Sequence, residues 1–184
     1  YSVLSAQGIA VPNGFAITAD AYRDALRQPG IAEELHRLLD SLDKSNVRLL
    51  AAAGAKPRSV IYKAMDTESL RTQIADAYRQ FERESGHRVA VAVRSSATAE
   101  DLPTASFAGQ HESFLNVRGE KELFEACRRC FASIFTDRAI SYRIDNGFDH
   151  FKVALCVAVM KMVRADLAAS GVIFTLDTES GFRD

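Results

Sequence analysis

Hydrophobic residues recur with a helical period in the first half of the chain and in short, strand-like runs in the second. Apolar positions spaced three and four residues apart predict two amphipathic helices. Their faces consist of Ile31, Leu35, Leu38, Leu39 and Leu42, and of Leu70, Ile74, Ala77, Tyr78 and Phe81. Residues 46–64 are also helix-like but contain Gly54 and Pro57. Because a proline inside a helix costs about 3 kcal/mol, we expect a break or kink there.

Apolar runs predict five strands and two further helices. The strands fall at residues 14–18, 89–95, 113–117, 153–163 and 171–176, and the helices at residues 120–135 and 136–146. Val89, Val91 and Val93 alternate with alanines, so both faces of that strand are apolar and it is expected to lie buried inside a sheet. Helices mainly in the first half and strands mainly in the second indicate an α+β fold rather than alternating βαβ units. With 184 residues, 47% of them hydrophobic, the chain is expected to form one domain over residues 1–184.

Arg94 follows the apolar run directly and begins a long stretch of small hydroxyl residues. A guanidinium is charged at physiological pH, and its planar fork of donors matches phosphate oxygens. Ser95, Ser96 and Thr98 add hydroxyls beside it without steric crowding. The same composition is typical of a solvated turn after a strand, so the residues alone leave a phosphate site and a plain turn both open.

The rest of this stretch is predicted to be a mobile loop. Glu100 and Asp101 would repel a nucleotide, so we expect them to cap a turn or to hold an arginine in place. Residues 104–109 carry one bulky side chain, Phe107, and Gly109 lets the backbone reverse. Because such a segment buries little apolar surface, we expect it to move as a lid over a ligand.

Other motifs give little support for different chemistry. The chain has neither the P-loop nor the Rossmann glycine motif. Cys127 and Cys130 lie within an apolar helical pattern and lack the second pair of a zinc site, so core packing is predicted for them, as for Cys156 in its strand. The histidines are far apart in sequence, which favours surface or hydrogen-bonded core positions for His36, His87, His111 and His150.

The charged residues also favour structural roles. Asp177 and Glu179 favour a turn between strands over a cation site. Arg138 and Arg143 lie about 140° apart around a predicted helix, so they need not act together; salt bridges within the fold are favoured, with a phosphate contact as the alternative. A net charge of −1 gives no electrostatic reason to expect nucleic acid or an anionic membrane as a partner. No apolar run reaches the roughly 20 residues that a membrane span needs.

The string RSSATAEDLPTASFAGQHESFLN, at residues 94–116, closely resembles the signature of the dikinase nucleotide-binding domains. The resemblance continues at residues 8–22, 131–143, 147–155 and 162–182, and it is weak between residues 27 and 88. The loop differs from the methionine- and glycine-rich version of the pyruvate phosphate dikinases. The continuation TLDTESGF, at residues 175–182, resembles the pyruvate, water dikinase (phosphoenolpyruvate synthase) branch more than the rifamycin phosphotransferases.

The resemblance implies a fold, a reaction and partners. The family's domains are ATP-grasp-like, with ATP between two subdomains, and this chain is similar to the first subdomain and the opening of the second. The branch converts ATP, pyruvate and water to AMP, phosphoenolpyruvate and phosphate in the cytoplasm. A phosphohistidine on another domain of the same chain carries the phosphoryl group, and none of the histidines here matches its motif. Pyruvate is expected to bind a carboxy-terminal domain that is absent here.

Residue by residue, the resemblance assigns Arg94 to neutralising the transferred phosphoryl group, with Ser95, Ser96 and Thr98 in the same ATP-binding loop. Met160 stands where the family usually has glutamine, on the strand that leads to the adenine contacts.

A family lysine would fall before Tyr1, and Mg²⁺ ligands are expected beyond Asp184, so no metal ligand is assigned to this chain. Both ends are therefore expected to be cut. The alternatives are a rifamycin-type phosphotransferase, or a module that binds nucleotide weakly or only packs against its neighbours.

Overall fold

The computed structural model describes residues 2–40, 47–97, 101–102, 105–106, 112–174, 176 and 179–181. Helices and strands follow one another along the chain as α1 (Ser2–Ala6), β1 (Gly14–Ile17), α2 (Ala19–Leu26), α3 (Ile31–Asp40), α4 (Val47–Ala64), α5 (Glu68–Ser85), β2 (Val91–Ala97), β3 (Asp101–Leu102), β4 (Ala105–Ser106), β5 (Ser113–Val117), α6 (Glu120–Ala132), α7 (Asp137–Asp145) and β6 (Leu155–Lys161). Short 3-10 helices span Ser133–Phe135 and Ala165–Leu167. The predicted α+β class is confirmed, and none of the described helices is long and apolar enough to cross a membrane.

The main sheet is antiparallel, with strand order β1–β6–β2–β5. Strands β2 and β6 pair over their whole length, from Val91 opposite Lys161 to Ala97 opposite Leu155. Strand β1 joins the other side of β6, although the two strands lie far apart in sequence. The loop after Arg94 contains a separate hairpin of β3 and β4.

The hydrophobic core lies between one face of this sheet and the helices. Val93 on β2 and Val159 on β6 are fully buried there with Phe131 of α6. Burial of such side chains is the main stabilising contribution, at about 25 cal/mol per Å² of apolar surface. The opposite face is only partly covered, so the prediction that β2 is buried on both faces is wrong: Ala92 is half-buried and Arg94 is exposed.

Helix α4 continues through Pro57, so of the predicted break or kink the break is wrong and the kink stays a prediction. Contacts with the following layer explain why the helix tolerates this sequence. A Cβ at Gly54 would lie 2.9 Å from the Phe135 carbonyl oxygen, so glycine permits close packing. The Arg58 guanidinium donates to that carbonyl and to Asp137, both at 3.0 Å. Tertiary contacts thus offset the cost of the proline.

The helix ends follow ordinary capping rules. Thr67 accepts a hydrogen bond from the Leu70 amide at the start of α5, and Thr136 accepts one from Ala139 at the start of α7. Gly86 ends α5 in the left-handed conformation, with φ of 69°. The two helices predicted at residues 120–135 and 136–146 are confirmed, with a 3-10 turn closing the first.

The last predicted strand, at residues 171–176, does not form within the described residues of that segment. Val172, Ile173 and Phe174 are exposed there, with Ile173 93% accessible. A strand needs a neighbour for its backbone hydrogen bonds, and the described chain supplies none to this segment. Asp177, one of the residues predicted to make a turn here, lies outside the described part, and Glu179 lies in a turn.

Candidate functional site

The register of the sheet brings three of the predicted site residues to one face. Residues that pair across an antiparallel sheet share a face, and alternate residues along a strand share it too. Arg94 pairs with Ala158, Ser96 pairs with Cys156, and Ala92 pairs with Met160. Arg94, Ser96 and Met160 therefore lie on the same partly uncovered surface, which we call the open face.

The other predicted hydroxyls are not brought to this surface in the same way. Ser95 pairs with Val157, a core residue, and therefore lies on the buried side of the sheet. Its hydroxyl donates to the Glu112 carbonyl at 3.4 Å. The backbone alternation that exposes Ser96 thus turns Ser95 away. Thr98 lies outside the described residues, as do Glu100, Phe107 and Gly109 of the predicted lid.

Arg94 is exposed at the centre of the open face, and small side chains surround it. Ala158 is opposite it on β6, and Ala16 is opposite Ala158 on β1. Within the part of the chain that the structure describes, the Arg94 guanidinium makes neither an ion pair nor a side-chain hydrogen bond. An exposed guanidinium beside small side chains can bind an anion without displacing any partner among the described residues.

The buried side of β2 fixes the position of Arg94. Cys130 on α6 is fully buried, and its thiol lies 3.7 Å from the Val93 carbonyl oxygen. Burial raises the pKa of the Cys130 thiol to about 12, so the sulfur is a protonated packing group. The pKa of Cys127 is also raised by burial. These observations confirm the prediction of core packing and exclude a thiolate role for this pair.

Met160 lies beside Arg94 on the open face, between Ala92 on β2 and Gly14 on β1. It is half-buried, which leaves part of its side chain available to a ligand. Gly14 is required for this geometry, because a Cβ there would lie only 2.0 Å from the Val159 carbonyl oxygen. The backbone of β1 can therefore approach β6 closely next to Met160.

Further residues of the open face were not predicted as site residues. Cys156 and Ala158 were read as parts of a buried strand, and Ala16 was assigned no role. Leu115, which follows core-facing Phe114 on β5, is 61% exposed. Alternation along β2 and β6 would have indicated this face, but the register of β5 shifts between Phe114 and Val117, and the pairing of β1 with β6 is not visible in a single sequence.

A cavity of about 590 Å³ lies on another side of β1, between α2 and α5. Its lining includes Ile17, Leu70 and Ile74, and none of the predicted site residues. Its acidic groups, Asp20 and Asp24, are exposed and paired with arginines on their own helix. The described lining also includes Ala16 and several neutral polar residues, but no cation that could bind phosphate, so the open face remains the better candidate.

Arg143 does not form the salt bridge that was predicted for it, and it is not part of the open face. It is fully buried and donates to the Ile134 carbonyl at 2.6 Å and to His150 Nδ1 at 2.8 Å. Burial lowers the pKa of Arg143 to about 10. The salt bridge predicted for Arg143 is wrong, because its described partners are a carbonyl and an imidazole. Exposed Arg138 has no carboxylate partner among the described residues.

The histidines occupy the kinds of position that were predicted. His36 is exposed and stacks on Phe151, and His87 contacts the Ser85 carbonyl oxygen at 2.7 Å. His150 is half-buried beside Arg143, and His111 lies outside the described residues. No cluster of three metal-ligating side chains occurs among the described residues.

Comparison with known proteins gives a consistent family. The model of the pyruvate phosphate dikinase AMP/ATP-binding domain matches residues 1–184. The phosphoenolpyruvate synthase of Pseudomonas aeruginosa (strain UCBPP-PA14) is 51% identical over 183 residues, which cover 100% of this chain and 23% of the relative. That of Escherichia coli (strain K12) is 51% identical over 179 residues, covering 97% of this chain and 22% of the relative.

A third phosphoenolpyruvate synthase, from Deinococcus radiodurans, is 52% identical over 181 residues, which cover 98% of this chain and 23% of the relative. The chain thus spans less than a quarter of the length of these curated relatives. The names of the relatives agree with the resemblance to the phosphoenolpyruvate synthase branch. Because the family model matches the whole chain, the chain belongs to the family of pyruvate phosphate dikinase AMP/ATP-binding domains.

Proposed function

We propose that this chain is the part of a pyruvate, water dikinase that holds ATP for phosphoryl transfer to a histidine on another domain. The parent enzyme converts ATP, pyruvate and water to AMP, phosphoenolpyruvate and phosphate. The observation that carries the proposal is the exposed Arg94 guanidinium on the open face, which has no ionic partner among the described residues, in a chain that belongs to an AMP/ATP-binding domain family. The proposal includes the ATP-grasp-like architecture, with this chain as one wall of the cleft, and the cytoplasmic setting of ATP and pyruvate.

Each described residue of the open face has a separate role in the proposed ATP binding. Arg94 neutralises phosphate charge, and its planar fork gives the phosphoryl group a fixed orientation. Ser96, on the same face and two residues along the strand, supplies a hydroxyl donor. Met160 offers a polarisable apolar surface on which a purine ring can pack, in place of a polar contact. The small side chains of Ala92 and Ala158 leave room for the ligand between these groups.

Thr98 completes the proposed phosphate loop, and Ser95 takes a supporting role from the buried side of the strand. The Ser95 hydroxyl donates a hydrogen bond to the Glu112 carbonyl, and this bond fixes β2 next to β5 close to Arg94. The proposal assigns Ser95 to positioning Arg94 and no longer to direct contact with phosphate.

Magnesium does not fit the residues that the structure describes on the open face. Mg²⁺ prefers carboxylate oxygens and keeps near-octahedral geometry. Paired positions on this face carry Arg94, Ser96, Met160, cysteine and alanines, and no carboxylate. The proposal therefore places the magnesium ligands outside the described chain and assigns no step of the reaction here to the metal.

The reaction can be tested in the full-length parent enzyme. We expect ATP and pyruvate to yield AMP, phosphoenolpyruvate and phosphate, and ATP alone to label a histidine outside this chain. Peptide mapping of acid-labile, base-stable phosphate identifies that histidine. Transfer to a rifamycin but not to pyruvate would instead support the phosphotransferase alternative. ATP binding without any phosphohistidine or product would support a module that has no chemistry of its own.

A further inference from the structure

A second concave surface lies where β2 begins and where β5 and β6 end. It is a cavity of about 670 Å³, and we call it the basic cavity because its charged lining is mainly cationic. The titratable residues that line it are His87, Arg88, Arg118, Lys161, Arg164 and Asp166. The opening is wide enough for a small molecule of several functional groups, and charge is the property that distinguishes it from its surroundings.

Three of these cations have no ionic partner among the described residues. Arg164 is neutralised locally, because its Nε and Nη2 donate to the two Asp166 oxygens at 2.8 and 2.6 Å. Arg88, Arg118 and Lys161 form no ion pair with any residue in the described ranges. Three like charges that line one concavity repel one another, and an anion between them would relieve that repulsion.

The nearest described carboxylates hold the backbone of this region. Glu82 accepts a hydrogen bond from the Val89 amide at 3.1 Å, next to Arg88 in sequence. Glu122 accepts one from the Arg118 amide at 2.9 Å. These bonds fix the strand ends from which two of the cations project. The remaining strand end is fixed by the Met162 amide, which donates to the Ala90 carbonyl at 2.9 Å.

The basic cavity is separate from the open face. Lys161 pairs with Val91, whose side chain is fully buried, whereas the neighbouring Met160 pairs with Ala92 on the open face. Alternation along β6 therefore sends Met160 and Lys161 to opposite sides of the sheet. The basic cavity and the Arg94 surface use different side chains, so this inference does not rest on the proposed function.

We infer that the basic cavity binds a small multivalent anion that carries phosphate or carboxylate groups. Two guanidinium forks can each bind an oxyanion through two donors, and the Lys161 ammonium adds a point charge. Phe, Tyr and Trp are absent from the described lining of the cavity, so recognition of the ligand relies on charge. The ligand is recognised by its charges and by their spacing.

Nuclear magnetic resonance of the isotopically labelled chain tests this inference without an activity assay. Tripolyphosphate and citrate serve as the phosphate and carboxylate probes, and glycerol serves as the uncharged control. We expect one or both anions to shift the amides of Arg88, Arg118 and Lys161 with saturation. The affinity should fall as salt rises, because the attraction is screened over about 10 Å at 0.1 M ionic strength.

Matched double variants decide whether the cavity is responsible. Arg88→Gln with Arg118→Gln should weaken anion binding at least about tenfold, since each lost charged hydrogen bond is commonly worth a factor of ten or more. Arg37→Gln with Arg138→Gln removes the same charge from exposed helix surfaces and should leave the affinity unchanged. Arg88→Lys with Arg118→Lys should retain part of the affinity in a folded chain.

Several results would overturn the inference. One such result is that neither anion saturates these amides. Another is that the shifts spread over all cationic surfaces and fall equally in both double variants. A poly-glutamate peptide that binds the same residues more tightly than either small anion would identify a docking surface for an acidic protein instead. Dispersed amide spectra of each variant establish that it is folded before its affinity is compared.

Discussion

Arg94 of β2 lies directly opposite Ala158 of β6, so the neighbour of its side chain across the two strands is a methyl group. A larger or acidic neighbour at this place would crowd or neutralise the cation. The pair instead leaves an accessible positive charge on a flat surface next to Met160. This relationship is the structural basis for assigning the open face to ATP.

The first prediction concerns Arg94 itself in the full-length parent enzyme. Because a guanidinium that meets developing phosphoryl charge is commonly worth several kcal/mol, Arg94→Ala should lower the rate of ATP-dependent histidine phosphorylation about a hundredfold or more. Arg94→Lys should recover little of the loss, because an ammonium lacks the planar fork. Arg138→Ala removes an exposed arginine on α7 and serves as the control. Near-normal phosphorylation in Arg94→Ala would remove this residue from the mechanism.

A second prediction uses Ala158, the residue opposite Arg94. Ala158→Leu adds bulk at a half-buried position on the open face, outside the hydrophobic core, so the enzyme should fold normally. The KM for ATP should rise about tenfold, which is equivalent to about 1.4 kcal/mol. Ala55→Leu adds the same bulk to an exposed position on α4 and should leave KM unchanged. Equal kinetics for the two variants would show that ATP does not lie over Ala158.

The fold could be predicted best where local pattern and tertiary structure agree. Periodicity indicated both helices after Glu120 and the α+β class. It failed at Pro57, where contacts of Arg58 and Gly54 with the next layer override a local penalty. It failed again at Ile173, where an apolar run has no described neighbour to pair with.

The candidate site could also be predicted only in part, because some of its residues are recognised locally and others depend on long-range pairing. Arg94 was identified from its charge after an apolar run, and Met160 came from resemblance. That Ser95 and Ser96 point to opposite sides follows from the two-residue period of a strand, once the strand is known to continue to Ala97. The alignment of Ala16 and Ala158 beside Arg94 depends on long-range pairing, which a single sequence does not reveal.

A third prediction tests the close approach of β1 to β6. Gly14→Ala should destabilise the chain by about 2 kcal/mol or more, because the new Cβ would meet the Val159 carbonyl oxygen at 2.0 Å and the backbone must move. Gly171→Ala is the matched control, since nothing lies within 4 Å of a Cβ there. Urea unfolding of both variants measures the difference. Equal stability would mean that β1 does not pair with β6 as described.

A fourth prediction follows from the raised pKa of Cys130, about 12 in the folded chain against an ordinary value of 9.0. Between these values the unfolded chain loses the thiol proton while the folded chain keeps it. Stability is therefore complete below about pH 9 and falls as pH rises, by about 1.4 kcal/mol per unit for one thiol.

Urea unfolding at a series of pH values from about 8 to 10 measures this slope. Cys130→Ser retains the size and the donor but does not titrate, so its stability should fall less steeply with pH than that of the unmodified chain. Parallel curves for the two proteins would show that the Cys130 thiol is not protected by burial.

The central claim is that ATP lies on the open face, and amide mapping of the labelled chain with millimolar ATP tests it most directly. We expect weak affinity, with a dissociation constant near or above about 1 mM, because the proposal places one wall of the cleft and the metal ligands outside this chain. Each lost charged contact costs about 1.5 to 3 kcal/mol. The account predicts saturable shifts centred on Arg94, Ser96, Ala158 and Met160, which Arg94→Gln abolishes. Shifts centred on the groove between β1 and α2, or shifts at the open face that persist in Arg94→Gln, would contradict it.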